Sequence, residues 1–226
     1  VVALTIGVKI KGLVAIRATL NGMGKQVDFA ASKALNATGK RIVEAMPAEM
    51  DKSLHRPTPF TRKGVAILAY ANKARLETTV GFRRIQAEYL RWQIEGGSRQ
   101  PGPGGLKLPS AIKLNDYGNI PNGVIAGLIA LARKDRGARK AAAKRVRVSA
   151  KLELYYGDPE DKTGKVWPRG IYKIANGSLI PLIVFPNVAA KYRPRFDFQG
   201  KAKLIVARVW QQEFDKSLAE AMRTAR

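Results

Sequence analysis

The apolar residues Leu13, Ile16, Leu20, Met23, Val27, Ala31, Ala34, Ile42 and Met46 recur at helical spacing over the first fifth of the chain. A stripe with a period near three and a half predicts a long helix with one face turned inward. If continuous, that helix is roughly 50 Å long at ~1.5 Å per residue. Gly22 and Gly24 are expected to kink or divide it, and Pro47 to weaken its far end. A helix of this kind can lie on a sheet of its own chain or act as an arm against a neighbouring subunit, and the stripe serves either purpose. A second stripe closes the chain: Ala202, Ile205, Val206, Val209, Trp210, Phe214, Leu218 and Met222, from about Gln199 to Thr224.

Between the two stripes the period changes to two. Ala3 to Ile10 reads as a short strand, and Gly64 to Tyr70 and Arg75 to Phe82 read as a hairpin turning near Asn72. In the latter segment Leu76, Thr78, Val80 and Phe82 share one face. Arg84 to Ile94 returns to helical spacing, with Ile85, Tyr89 and Trp92 on its stripe, and stops at Gly96-Gly97. Residues 98–109, built around Pro101-Gly102-Pro103-Gly104-Gly105, offer few side chains for packing and are expected to form a flexible loop. Ile112 to Ala132 reads as a turn followed by a helix or strand. Val146 to Tyr156 alternates as a long strand, and Ile171–Ala175 and Ser178–Phe185 flank the hairpin signal Asn176-Gly177. Pro181 places the second of these strands at a sheet edge or a bulge. Strands in the middle and helices at both ends predict an α+β fold: an antiparallel or mixed sheet, a long N-terminal helix and an amphipathic C-terminal helix, treated as one domain over residues 1–226.

Composition narrows the chemistry. The 226 residues include 41 Lys plus Arg against 17 Asp plus Glu, a formal charge of +24, with no cysteine and a single histidine, His55. Disulfides, zinc thiolates and cysteine nucleophiles are excluded together. His55, between Leu54 and Arg56-Pro57, reads as a solvated loop residue. The apolar opening Val1 to Val8 is short, is broken by Gly7 and precedes Lys9 and Lys11, so it does not read as a secretory signal. No uncharged run reaches the ~20 residues of a membrane helix, and the expectation is a soluble intracellular product without membrane contact.

Enzyme signals are weak. The Gly-Lys pairs beginning at Gly24, Gly39, Gly164 and Gly200 lack the following hydroxyl of a phosphate loop, and neither HExxH nor an EF-hand loop is present. Gly170-Ile171-Tyr172 is similar to the first half of the GIY-YIG nuclease signature, but no second half follows it. Asn36-Ala37-Thr38 and Asn176-Gly177-Ser178 fit the glycosylation sequon, which has no meaning without a secretory route. No catalytic residue, cofactor or metal ligand is assigned.

The densest charge feature is Arg133, Lys134, Arg136, Arg139, Lys140, Lys144, Arg145, Arg147 and Lys151, opposed by Asp135 alone. A tract so self-repelling suits a polyanion, so these nine residues are the candidate contacts for nucleic acid or an acidic partner, with residues 133–145 forming a basic loop or arm. The alternative is a solvated loop, since no aromatic interleaving or base-reading motif accompanies the tract.

Several blocks, taken in order, resemble the minor tail protein Z family of tailed bacteriophages. They are Pro57-Thr58-Pro59-Phe60-Thr61; Ala87-Glu88-Tyr89-Leu90-Arg91-Trp92-Gln93-Ile94-Glu95-Gly96-Gly97-Ser98-Arg99; Tyr117-Gly118-Asn119-Ile120-Pro121; Gly170-Ile171-Tyr172 before a Leu-Ile-Pro-Leu strand; and Tyr192-Arg193-Pro194-Arg195-Phe196-Asp197-Phe198 before the last helix. The resemblance extends from about Phe29 to Arg226. It implies a non-enzymatic virion protein of tail completion, at the neck where head and tail join. Such a protein would form a homo-oligomeric ring and touch other neck and tail proteins, with packaged DNA as a further candidate contact. It would reside in the virion after assembly in the host cytoplasm. The alternative reading is a freestanding, sequence-nonspecific nucleic-acid-binding protein.

Overall fold

The computed structural model describes residues 5–9, 24–102, 105–133, 143, 151–160 and 163–224. Fourteen elements follow in order: β1 (Thr5–Lys9), α1 (Gly24–Ser53), α2 (Pro59–Arg62), β2 (Val65–Ala69), β3 (Glu77–Phe82), α3 (Arg84–Ile94), β4 (Gly97–Arg99), β5 (Leu108–Pro109), α4 (Val124–Ala132), β6 (Leu154–Gly157), β7 (Gly170–Ala175), β8 (Ser178–Val184), β9 (Ala190–Tyr192) and α5 (Phe198–Thr224). This is the α+β class, with antiparallel sheets and long helices near both ends. Where the sequence suggests one domain, the backbone gathers into two compact units, residues 1–97 with 192–226 and residues 98–191.

The first unit is built on α1 and α5. Lys33 pairs with Glu220 at 2.5 Å, Arg41 with Glu213 at 2.8 Å and Lys201 with Glu49 at 3.0 Å. Residue numbers rise on one helix as they fall on the other, so the two run antiparallel. Between them Ala31 and Ala34 are fully buried and leave room for Phe214, whose ring stacks on Trp210. Lys52 and then Lys201 hold the Glu49 carboxyl below its ordinary range, and Lys33 does the same for Glu220. The Arg41 guanidinium is stabilised in turn by Glu213.

Another part of α1 packs on a three-stranded antiparallel sheet of order β1-β3-β2, with Ile6 and Ile67 both opposite the buried Val80. Thr78, Val80 and Phe82 all face the core, as the alternation predicts. The predicted turn is present: Asn72 Oδ1 accepts from the backbone N–H groups of Ala74 and Arg75. Phe82, Phe196 and Phe198 then close the core as an aromatic trio, with ring centroids 4.9 to 6.4 Å apart.

Three sequence expectations need correction. Helix α1 does not weaken at Pro47 but continues to Ser53. A proline in a helix interior costs about 3 kcal/mol. Burying Met46 and Met50, both without exposed surface, contributes about 1.5–3 kcal/mol each and offsets it. In α3 the buried face carries Gln86 and Leu90, whereas Ile85 is 56% exposed. Gln86 is held inside because its Nε2 donates to the Phe60 carbonyl at 3.1 Å, and its stem fills the space beside Gly64, where a Cβ would lie 2.6 Å from Gln86 Cγ. The long strand expected from Val146 begins, among the described residues, only at Leu154; residues 146–150 lie outside them, and 151–153 are not strand. The expected helical stripe before Gly24 likewise lies outside the described residues.

The second unit is a four-stranded antiparallel sheet of order β5-β8-β7-β6, covered by α4. Leu128 and Leu131 of α4 pack with Leu154, Ile171, Ile183 and Phe185. The β7–β8 turn has Asn176 at φ 52° and Gly177 at φ 71°, the pair of positive angles that a tight two-residue hairpin demands. Pro181 adjoins a bulge: Ile171 faces Ile183 but Tyr172 faces Pro181, leaving Leu182 over. The 98–109 segment is tied at its far end, since Leu106 N–H donates to the Pro186 carbonyl and Leu108 pairs with Val184. No helix among the described residues is long and apolar enough to cross a membrane.

Candidate functional site

Of the nine basic candidates, the structure describes two. Arg133 caps α4, its backbone N–H donating to the Ile129 carbonyl, and Lys151 lies in a turn before β6. Lys134, Arg136, Arg139, Lys140, Lys144, Arg145 and Arg147 lie outside the described residues.

Three of the blocks that carry the family resemblance, the Ala87–Arg99 block as far as Gly97, form one packed corner of the first unit. Thr58 caps α2 by accepting from Thr61 N–H, and the Thr61 hydroxyl meets the Tyr89 hydroxyl at 2.9 Å. With the bond from Gln86 to Phe60, this fixes the Pro57–Thr61 block to α3. At the other end of α3 the Gln93 carbonyl accepts from the backbone N–H groups of both Arg195 and Phe196, at 2.7 and 3.0 Å, which ties in the Tyr192–Phe198 block. Gly96, at φ 72°, makes the approach possible: a Cβ there would lie 2.8 Å from the Pro194 ring.

On this corner the Trp92 and Tyr192 rings stack, with centroids 6.2 Å apart and planes 28° apart. The Arg91 guanidinium sits 4.2 Å from the Trp92 ring centroid. Arg91, Arg193 and Arg195 are exposed, and no carboxylate among the described residues lies within ion-pairing distance of any of them. Glu88 shares the helix with Arg91 and Glu95 follows its last turn, while Asp197 Oδ1 accepts from Gly200 N–H at the start of α5. Glu95, Arg195 and Asp197 border a cavity of about 490 Å³ between the end of α3 and the start of α5. In the sequence, Arg91-Trp92 and Tyr192-Arg193 stand as parts of the resembling blocks, with Trp92 also on the apolar stripe, and are not assigned to a site. The usable signal is an arginine beside an aromatic ring in each block.

In the second unit the Tyr117–Pro121 block is organised by Asn115, whose Oδ1 accepts from the N–H groups of Tyr117 and Asn119, and it borders a cavity of about 630 Å³ with Lys107 and Ile125. Gly170-Ile171-Tyr172 lies inside the sheet. Burial raises the Tyr172 phenol above its ordinary pKa, Asp158 adding to the effect, and its hydroxyl donates to the Pro168 carbonyl. His55 is exposed, as expected. Among the described residues no group of three or more histidine or carboxylate side chains could hold a metal ion.

Compared with protein-family models, curated proteins and solved structures, the chain finds no match.

Proposed function

We propose that the chain is a structural component of a tailed bacteriophage virion, acting in tail completion where head and tail join, as a homo-oligomer surrounding the DNA path. The observation that carries this reading is the coherence of the resembling blocks. Pro57–Thr61, Ala87–Arg99 and Tyr192–Phe198 are distant in sequence, yet side-chain and backbone hydrogen bonds fasten them around α3. The surplus of +24 per copy suits a ring around a polyanion. In this reading the protein adheres and positions, with neck and tail proteins as neighbours and the virion as its final location.

The test is electron microscopy of particles with and without the gene for this chain. Density for the protein at the neck, and unjoined heads and tails when it is missing, are the expected results. Its absence from mature particles overturns the proposal. The second reading, a freestanding nucleic-acid-binding protein, is favoured by the exposed arginines beside Trp92 and Tyr192, which have no ion-pair partner among the described residues. It predicts DNA binding that falls steeply with salt together with absence from particles.

A further inference from the structure

We infer that the Arg91–Trp92–Tyr192 corner, with Arg193 and Arg195, is a contact site for the phosphodiester backbone of duplex DNA, separate from the Arg133–Lys151 tract. The inference rests on the reading that this chain meets a polyanion and gives that contact an address. Arg91 is held by stacking on Trp92, and Trp92 is in turn stacked on Tyr192. A guanidinium oriented over a ring keeps the N–H groups of its edge free for phosphate oxygens and loses less side-chain entropy on binding than a free one. The hydrogen bond from Arg195 N–H to Gln93 brings a second arginine beside the helix end, and Arg193 follows Tyr192 directly.

The contrast with the α1–α5 seam sharpens the inference. Along the α1–α5 seam Lys33, Arg41 and Lys201 each meet a carboxylate. Arg91, Arg193 and Arg195 have none among the described residues, so their charge is available to an outside anion. The Trp92 ring already carries the Arg91 guanidinium and the Tyr192 ring, so its π surface is engaged within the fold rather than set out as a platform for an inserted base. The partner that fits is a backbone, read by charge and without sequence preference.

The experiment is a fluorescence-anisotropy titration of the full chain against a labelled duplex across a salt series. It compares the wild type with R91Q/R193Q/R195Q and with R139A/K140A/K144A/R145A. Removing one arginine–phosphate contact lowers the slope of log affinity against log salt by about 0.9. Between about 50 and 200 mM salt the wild-type fall in affinity therefore shrinks by about 3.5-fold per contact, and by roughly 40-fold when all three are removed. The triple variant is expected to show that reduction with a melting temperature within a few degrees of wild type. If it does not fold, R193Q alone serves, because that exposed side chain has no ion-pair partner among the described residues, and a slope reduced by about 0.9 is expected.

A triple variant that binds like wild type while the tract variant loses binding overturns this site and leaves the polyanion reading standing. A wild type that does not bind duplex at low salt, or binds with no salt dependence, overturns both. A triple variant that weakens only association with an acidic partner protein also overturns the DNA assignment. None of these outcomes decides the location of the protein in particles, which the microscopy tests independently.

Discussion

Asn36 should be a stability determinant of the first unit, and the cost of removing it can be worked from its partners. Its Oδ1 accepts from the Ala71 backbone N–H at 2.8 Å and from the Thr78 hydroxyl at 2.7 Å, while its Nδ2 donates to the Ala71 carbonyl at 2.9 Å. Asn36→Ala deletes all three bonds. The Ala71 N–H retains Thr78 Oγ1 at 3.2 Å as an acceptor, but the Ala71 carbonyl and the Thr78 hydroxyl are left without the partners they had. Ala71 and Thr78 are buried, and each unsatisfied buried group costs about 1–3 kcal/mol. The better helix propensity of alanine returns at most about 0.7 kcal/mol. The net destabilisation is therefore roughly 1.3–5 kcal/mol. Urea unfolding followed by tryptophan fluorescence, with Trp92 and Trp210 reporting on this unit, measures it as a fall in midpoint at constant slope. Thr78→Val removes one of the same partners, so the double variant should cost less than the two singles together, by about 0.5–3 kcal/mol. Additive singles, or an Asn36→Ala cost below about 0.5 kcal/mol, would refute the reasoning.

Gly39→Ala should lower stability although alanine is the better helix former by about 1 kcal/mol. The added Cβ would lie 2.8 Å from Thr78 Cγ2 and 3.3 Å from Ile67 Cδ1, and overpacking of this kind costs about 1–3 kcal/mol; a raised melting temperature would contradict the close approach of α1 to its sheet. Stability should fall with acid. Glu49 and Glu220 have folded pKa values below their unfolded ones, so their contribution is complete above the unfolded value near about 4.3 and is lost as pH drops through the folded values. Thermal scans across that window should show the wild type losing more than E49Q/E220Q, and parallel curves would remove the ion pairs from the account. R139A/K140A/K144A/R145A should melt within a few degrees of wild type, because a sequence run of this charge density is expected to be solvated and to contribute little to stability. A larger drop by calorimetry would mean that these side chains pack.

What the sequence shows plainly is what repeats locally. The stripe from Val27 to Met46, the alternation of Thr78, Val80 and Phe82, the Asn176-Gly177 turn and the bulge at Pro181 all depend on neighbours within a few residues, and each stands in the structure as read. The misreadings occur where a distant partner decides. The apolar stripe of α3 includes Ile85 and passes over Gln86, which is inside because Phe60 and Gly64 are beside it. Pro47 reads as weakening the helix end until the burial of Met46 and Met50 is counted. Asn36 fits a sequon on paper, yet in the fold its amide is bonded to Ala71. The same limit governs the candidate site. A tract such as Arg133 to Lys151 is visible by charge density alone, whereas the Arg91 corner exists only because Gln93 accepts from Arg195 and Phe196.

Charge placement ties these observations together. With 17 acidic residues against 41 basic ones, most cations cannot find an internal partner, and where the available carboxylates sit decides which surfaces remain positive. Glu213, Glu220 and Glu49 serve the α1–α5 seam, where they face Arg41, Lys33 and Lys201 across the helix pair. That neutralisation lets two helices of 30 and 27 residues pack closely on buried alanines. The corner around Trp92 uses a different device: a ring under Arg91 stabilises and orients the guanidinium without neutralising it. A carboxylate in that position would settle the arginine equally well but cancel its field, while an aromatic ring keeps the charge outward. The seam is thus arranged to hold the fold, and the corner to meet an anion from outside.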